Sequence, residues 1–450
     1  MKARLLNQPP LPAQKRPCEP ELKFFDFADG THVVLDVNSL CLVEADDATV
    51  AALKEQGPGD FAGLLYSRVA PEFKVYREAP ARKIVLNVTH GCNLKCAYCF
   101  AAKYEQMPIM PLETALNALA LFEENRPIDV CFFGGEPLLA WGVMMAVAEQ
   151  ARLLASKRNV PCKLHVTTNA TLIGAVKAHA LKRYGFSVLA SLDGPEEIHN
   201  ATRPAKKGNS WRQAMAGIEA LNSAGIRPML RATFTADNPR LIARLDFFEG
   251  LYQAGKITGV SIEPAILSEG CNGGAANASG GPDLSAEWHA AAEWYVARVK
   301  AKRDFQFFYF RKLIERIYKG IPYGTECGAG RGYLTIGPDG TMYACHREEG
   351  AEIGHVVSGF DNAKREPWLK NTVMNHPDCM RCWARYLCGG GCPQARMAVG
   401  GSINAETPAV CAVKRQWLAE VIWIMTQLSD EEIRRIAAPE RPKNVCKRPA

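Results

Sequence analysis

Short apolar runs recur through the middle of the chain, each followed by a loop and a stretch with helical spacing. The runs fall at 83–88 (KIVLNV), 128–133, 163–168, 186–191, 228–234 and 258–263. Helical periodicity fills the gaps, as at 111–124 (PLETALNALALFEE) and 212–224. Strands alternating with helices imply a parallel sheet covered by its own crossover helices. Six such units predict an α/β fold, an open partial (β/α)6 barrel, with chemistry gathered at the C-terminal ends of the strands.

The flanks read differently. Residues 1–21 are rich in proline and charge and predict a flexible lead-in. Residues 22–44 alternate apolar and polar positions around an ADG turn and a DVNS turn, the pattern of a small antiparallel β unit. A short helix over 46–55 and a break at Gly57-Pro58-Gly59 follow. Beyond the barrel, 268–283 is a Gly/Asn/Ser loop and 285–319 is helical. Residues 321–415 then lose helical periodicity but hold seven regularly placed cysteines, as in a domain organised by metal rather than by a large apolar core. A helix over 413–428 packs this region down. The expected division is therefore 1–21 lead-in, 22–80 N-terminal β/α appendage, 81–305 barrel, 306–430 Cys-rich domain and 431–450 basic tail.

Composition narrows the class. Apolar residues make up 48% and charged residues 22% of 450, ordinary for a globular protein. No run approaches the ~20 apolar residues of a membrane span, and the basic N-terminus has no apolar signal core. These features point to the cytoplasm and to no membrane partner. The net charge of +7 is dispersed apart from the tail, and no aromatic-plus-basic groove accompanies it, so nucleic acid is not an expected partner. Sixteen cysteines are many for such a chain. A disulfide framework belongs to small secreted domains, which leaves metal ligation.

After the first strand comes Cys92-x3-Cys96-x2-Cys99. Three thiolates at this spacing can wrap one face of a cubane iron–sulfur cluster, which takes four ligands. No fourth cysteine lies nearby, so one iron stays open to S-adenosylmethionine, whose amino and carboxylate groups can fill it. A zinc site is the competing reading of the triplet alone. Phe132-Phe133-Gly134-Gly135-Glu136-Pro137 ends the second strand; its glycines allow backbone to approach a ligand closely, and Glu136 offers a carboxylate to an ammonium group. By itself this motif would be a strand-to-helix turn.

With Ser191-Leu192-Asp193-Gly194-Pro195 after the fourth strand, the set resembles the radical S-adenosylmethionine superfamily. The resemblance implies that Cys92, Cys96 and Cys99 hold the reducing cluster and that Tyr98 packs near the adenine. Gly134, Gly135 and Glu136 would hold the methionyl amino group, and Ser191 the ribose or carboxylate. Arg231 on the fifth strand is the candidate for the carboxylate, with Arg212 the runner-up, and Glu263 at the end of the sixth strand lines the cavity.

The C-terminal cysteines run Cys327-x12-Gly340-x4-Cys345, then Cys379-x2-Cys382-x5-Cys388-x3-Cys392, then Cys411. This resembles the SPASM domain, with zinc again the competing reading. The resemblance implies two auxiliary clusters, three 4Fe–4S clusters in all. Cys379, Cys382, Cys388 and Cys411 would complete one. Cys327, Cys345 and Cys392 would hold the other, one ligand short, so that a substrate thiolate could bind; closure by Cys271 is the alternative. Cys131 and Cys162 read as buried small hydrophobes. The runs Leu86-Asn87-Val88, Cys99-Phe100-Ala101-Ala102, Arg231-Ala232-Thr233-Phe234-Thr235 and Cys382-Trp383-Ala384-Arg385 resemble thioether-forming peptide maturases, those acting on six-cysteine peptides and on an amine dehydrogenase subunit. That family implies a cysteine-containing precursor peptide or protein as substrate and a flavodoxin- or ferredoxin-type one-electron reductant. The stretch Val33–Ser39 resembles the start of the family's peptide-recognition domain, here shortened. Carbon–carbon crosslinking, formylglycine formation and a non-catalytic iron–sulfur electron carrier are the competing functions.

Overall fold

The computed structural model describes residues 3–7, 21–57, 73, 79–101, 108–235, 237–265, 284–303, 305–347 and 350–437. The loop 268–283 with Cys271, and also Cys18 and Cys446, lie outside the described residues.

The appendage is a four-stranded antiparallel sheet: β1 (Ala3–Leu5), β2 (Leu22–Asp26), β3 (His32–Asp36) and β4 (Leu42–Ala45), in the order β1-β4-β3-β2. The turns fall where the sequence put them. Gly30 takes φ +81° after Asp29, and Asp36 accepts from the amides of Asn38 and Ser39. Asp46 caps the helix Asp47–Gln56 by accepting from Thr49 N at 2.9 Å. Alternate β3 residues face opposite ways: Val34 packs with Val43, Val50 and Leu53, whereas Val33 and Leu35 join the main core. Ala3–Leu5 differs from the flexible lead-in expected, because its backbone pairs with β4 from Ala45 to Val43.

Six parallel strands follow: β5 (Lys83–Thr89), β6 (Ile128–Gly134), β7 (Cys162–Thr168), β8 (Phe186–Ser191), β9 (Met229–Phe234) and β10 (Gly259–Pro264). They lie in sequential order and match the six predicted runs within a residue or two. Ile84, Leu86 and Val88 of β5 are fully buried under the helical layer, while Asn87 and Thr89 face the concave side. The sheet is open and continues past β5. There β11 (Tyr333–Ile336) pairs parallel with β5, and β12 (Thr341–Tyr343), β13 (Glu352–His355) and β14 (Gly359–Phe360) extend it antiparallel.

The Cys-rich region is thus not a body held by metal alone. The helix Pro408–Gln427 buries Trp417, Leu418, Val421, Ile422, Ile424 and Met425, and Trp417 stacks edge-on against Trp288 at 4.8 Å. The basic tail begins later than expected, since Asp430–Ala437 is a helix that buries Ile433 and Ile436. The 21-residue stretch Pro137–Lys157 has the length and composition to cross a membrane, contrary to the reading that no run came close. It packs Met144, Val147, Ala148, Ala151 and Ala155, at helical spacing, into the core instead.

Candidate active site

The cysteine loop leaves β5 at Thr89 and is fastened from two sides. Lys95 N donates to Pro204 O (2.9 Å), Ala97 N to Thr202 O (3.1 Å) and Lys206 N to Asn93 O (3.2 Å). From the β6 side, Gly135 N donates to Thr89 O (2.8 Å) and Glu136 N to Gly91 O (2.9 Å). A Cβ on Gly135 would sit 2.4 Å from the carbonyl oxygens of both His90 and Gly91, and one on Gly134 would sit 2.1 Å from Thr89 O. These glycines therefore let one backbone lie against another. Both also line the cleft beside the cysteines.

That cleft, about 150 Å³, lies at the C-terminal ends of the strands. It brings together Cys92, Cys96, Cys99, Tyr98, Gly134, Gly135, Ser191, Arg231 and Glu263. A second hollow of about 220 Å³ lies against His90, Cys92, Cys96 and Cys99. Leu94 N points at Cys92 Sγ (3.4 Å), and Asn169 Nδ2 lies 3.9 Å from it. Burial pushes the Cys96 thiol up to about 12, a cost that binding to an electropositive cluster would relieve. Among the described residues no three His, Cys, Asp or Glu side chains meet closely enough to chelate a single ion. Thiols around a hollow, backed by N–H donors, fit a cubane cluster.

Two of the expected contacts change. Glu136 does not reach the cleft. It is fully buried, and its carboxylate accepts from Leu138 N (3.1 Å), Thr168 Oγ1 (2.7 Å) and Asn169 N (2.7 Å), tying the ends of β6 and β7 together. Burial raises its pKa against those bonds. Arg231 lines the cleft but is paired with Glu263 at 2.5 Å, and Glu263 also accepts from Ser261. Arg212 is exposed and paired with Glu196, away from the cleft.

The residues that sequence reasoning missed centre on Asp193. It is fully buried and receives Tyr98 Oη (2.6 Å), Thr202 Oγ1 (2.7 Å) and Thr233 N (2.9 Å), with Arg203 Nε at 3.0 Å. Burial would raise its pKa, but the Arg203 and Arg244 guanidiniums outweigh that and hold it below the usual range. Arg203 lines the cleft and stacks over the Tyr98 ring at 5.3 Å. His346 closes another wall. Its ring lies 4.8 Å from that of Phe133, and Nδ1 bonds Tyr333 Oη at 2.8 Å. The signal for His346 was its place directly after Cys345; Arg203 carried none, since an arginine before a proline in a loop reads as solvated charge.

The C-terminal cysteines form two groups. Cys379, Cys382, Cys388 and Cys411 line a cavity of about 360 Å³, which Cys392, Arg396 and Lys414 line as well. Burial lifts the Cys379 thiol to about 12, with Arg396 opposing. Cys327 and Cys345 lie on neighbouring loops joined by Gly330 N to Ala344 O (3.1 Å), and the nearby Cys392 thiol helps to raise both of theirs beyond the effect of burial. Cys131 is buried and Cys162 half-buried, and neither lines the cleft or the C-terminal cavity.

Residues 86–236 match the family model described as Radical SAM superfamily. The serine-type anaerobic sulfatase-maturating enzyme of Klebsiella aerogenes is 26% identical over 337 residues, 69% of this chain and 79% of that protein. The radical SAM cyclopropyl synthase TigE of Paramaledivibacter caminithermalis is 23% identical over 401 residues, 78% of each. The solved structure of native anSMEcpe with bound AdoMet shares the fold, with a TM-score of 0.65 at 21% identity over 78% of this chain and 100% of that one.

Proposed function

We propose that this chain, a radical SAM protein by its domain at residues 86–236, is a maturase that modifies a peptide or protein and closes a sulfur-to-carbon thioether in it. Cys92, Cys96 and Cys99 would hold the reducing 4Fe–4S cluster, and the cleft beside them would hold S-adenosylmethionine. When bound, the two supply a 5′-deoxyadenosyl radical that abstracts hydrogen from the substrate. Gly134 and Gly135 present backbone to that cleft, Ser191 a hydroxyl, and Arg203, neutralised on one side by Asp193, a cation for a carboxylate. Arg231 and Glu263 satisfy each other and form the wall toward the C-terminal region. Two auxiliary clusters would sit on Cys379, Cys382, Cys388 and Cys411 and on Cys327, Cys345 and Cys392. The second set leaves a ligand position for a substrate thiolate.

One observation carries the thioether reading. Cys345 of the three-thiol set is bonded directly to His346, a wall of the cleft that also holds Cys99. A thiol held at one centre and a carbon exposed to a radical at the other would be within the span of one short peptide. The four-stranded sheet is the proposed peptide-recognition element. Strand β2 has no partner on its outer side among the described residues. The sheet is also clamped to the Cys382–Cys388 segment by Arg385 with Glu21 and Asn38 and by Phe25 against Trp383 at 5.0 Å. An external flavodoxin or ferredoxin in the cytoplasm would supply the electron.

The test is anaerobic reconstitution, then co-expression with a cysteine-containing peptide. The expected results are about twelve irons per chain for three cubanes, reductant-dependent 5′-deoxyadenosine, and a peptide that has lost two hydrogens per link together with its alkylatable thiol. Protein that cleaves no S-adenosylmethionine would end the radical reading. The sulfatase-maturating relative favours a second outcome, oxidation of a cysteine or serine to formylglycine, which a cysteine substrate would report as loss of sulfur.

A further inference from the structure

The helix Pro393–Gly400 begins immediately after Cys392, and on its first turn Arg396 turns inward, 3% exposed. Its guanidinium is pinned on three sides. Nε donates to Gly390 O at 3.2 Å, Nη1 to Ala405 O at 2.6 Å, and Nη2 to Asp378 Oδ2 at 3.0 Å. The same Nη2 also points at Cys379 Sγ, 3.2 Å away. Within the cavity this is a full positive charge donating to the sulfur of an expected cluster ligand, where it cannot swing away.

We propose that Arg396 is a positioning residue that raises the reduction potential of the cluster held by Cys379, Cys382, Cys388 and Cys411. This rests on the assignment of that cluster to those four thiols. Reduction adds one electron and so one negative charge to the cluster and its thiolates. A buried cation bonded to a ligand sulfur stabilises the more negative state, since hydrogen bonds and net charge at the sulfurs set such potentials. A guanidinium also bonds an anionic acceptor more strongly than a neutral donor does. Asp378 works in the opposite sense. Its Oδ2 shares Nη2 with the thiol, its buried Oδ1 has no hydrogen-bond partner among the described residues, and its negative charge acts on the same thiol. The pair Arg396–Asp378 therefore predicts two shifts of opposite sign, which a purely structural pin would not produce.

The experiment uses the full chain with Cys92, Cys96 and Cys99 replaced by alanine, so that only auxiliary clusters give signals. The signal of interest is the one that disappears on adding C388A. Its midpoint is read by potentiometric titration followed by electron paramagnetic resonance, with iron content measured alongside. The midpoint should move to more negative potential in R396Q, move down less in R396K, and move to more positive potential in D378N. R396Q with full iron at the parent midpoint, or Arg396 and Asp378 variants that shift in the same direction, would overturn the proposal. Should R396Q lose its iron, D378N still decides: an upward shift supports the electrostatic role, and an unmoved midpoint rejects it. A parent that shows no signal dependent on Cys388 would instead remove the cluster assignment, a failure distinct from an unmoved midpoint.

Discussion

Replacing Glu136 by glutamine separates two roles for this carboxylate: binding an ammonium group, and holding the ends of two strands. The side chain is fully buried and receives three hydrogen bonds, two on Oε1 and one on Oε2. Glutamine keeps the shape but turns one oxygen into a donor. Placed at Oε2, the new NH2 faces Asn169 N, and two donors meet. Placed at Oε1, it can bond Thr168 Oγ1, but Leu138 N at the head of the turn Pro137–Ala140 is left without its acceptor. Either way one buried amide loses its partner, at about 1–3 kcal/mol. Burial already disfavours the charged form, and relief of that desolvation cost offsets part of the loss, for a net cost of roughly 1–2 kcal/mol. The assay pairs denaturation of E136Q with its affinity for S-adenosylmethionine after reconstitution. The expected outcome is a lower unfolding free energy with a dissociation constant within about threefold of the parent. An unchanged stability with affinity lost by more than about tenfold would return Glu136 to the ligand and refute its role as a strand tie.

Three further outcomes follow from the same geometry. G135A drives a methyl group into two backbone carbonyls at 2.4 Å; it should cost about 1–3 kcal/mol and lower the iron retained by the Cys92 loop, measured by iron assay after reconstitution. R203M should destabilise by up to about 3–5 kcal/mol, because it strips the buried Asp193 charge of one of its two guanidiniums and leaves Arg244. R231M, whose ion pair with Glu263 is about a third exposed on both sides, should change stability by about 0–1 kcal/mol; equal losses in denaturant titrations would contradict the burial difference. His199 is fully buried, and burial lowers its pKa to about 4. Its folded pKa is below the unfolded value near 6.5, so the unfolded chain binds the proton first. Stability should fall as pH drops through that window, by roughly 3 kcal/mol in full. Melting temperatures from pH 7 to 5 check this, and H199Q should flatten the profile.

The barrel was legible in the sequence because each strand is a short run rich in apolar residues with at least one buried face, bounded by loop residues and followed by helical spacing. The cysteine triplet was legible for a similar reason, since its ligands lie close together in the chain. What escaped was whatever depends on partners far apart in sequence. Glu136 looked like a ligand because a carboxylate after two glycines at a strand end is chemically available; only the arrival of Thr168 and Asn169, more than thirty residues on, shows both its oxygens occupied. Arg231 lines the cleft, but its pairing with Glu263 on the next strand could not be read from the sequence. The Cys-rich region was expected to lean on metal because its helical period is weak. Part of its hydrophobic content sits instead in strands of two to four residues that finish a sheet begun elsewhere, and part in short helices, lengths at which periodicity cannot be read.

The two cysteine centres also differ in what faces their sulfurs, and the difference has a direction. At the reducing site the donors near Cys92 are neutral, the amide of Leu94 at 3.4 Å and the carboxamide of Asn169 at 3.9 Å. Arg203, which acts on the Cys96 thiol, is balanced by Asp193, as Arg396 is by Asp378, but among the described residues its guanidinium bonds no sulfur, whereas that of Arg396 does. At the C-terminal site a guanidinium lies 3.2 Å from Cys379 Sγ. Neutral, longer donors leave a cluster hard to reduce, which suits a site that must deliver an electron to a sulfonium. A charged, shorter donor makes a cluster easier to reduce, which would suit a site that drains an electron from the Cys327, Cys345 and Cys392 set, where the proposed substrate thiolate binds. On the proposed cluster assignment, these donors would make the Cys379 centre the easier of the two to reduce.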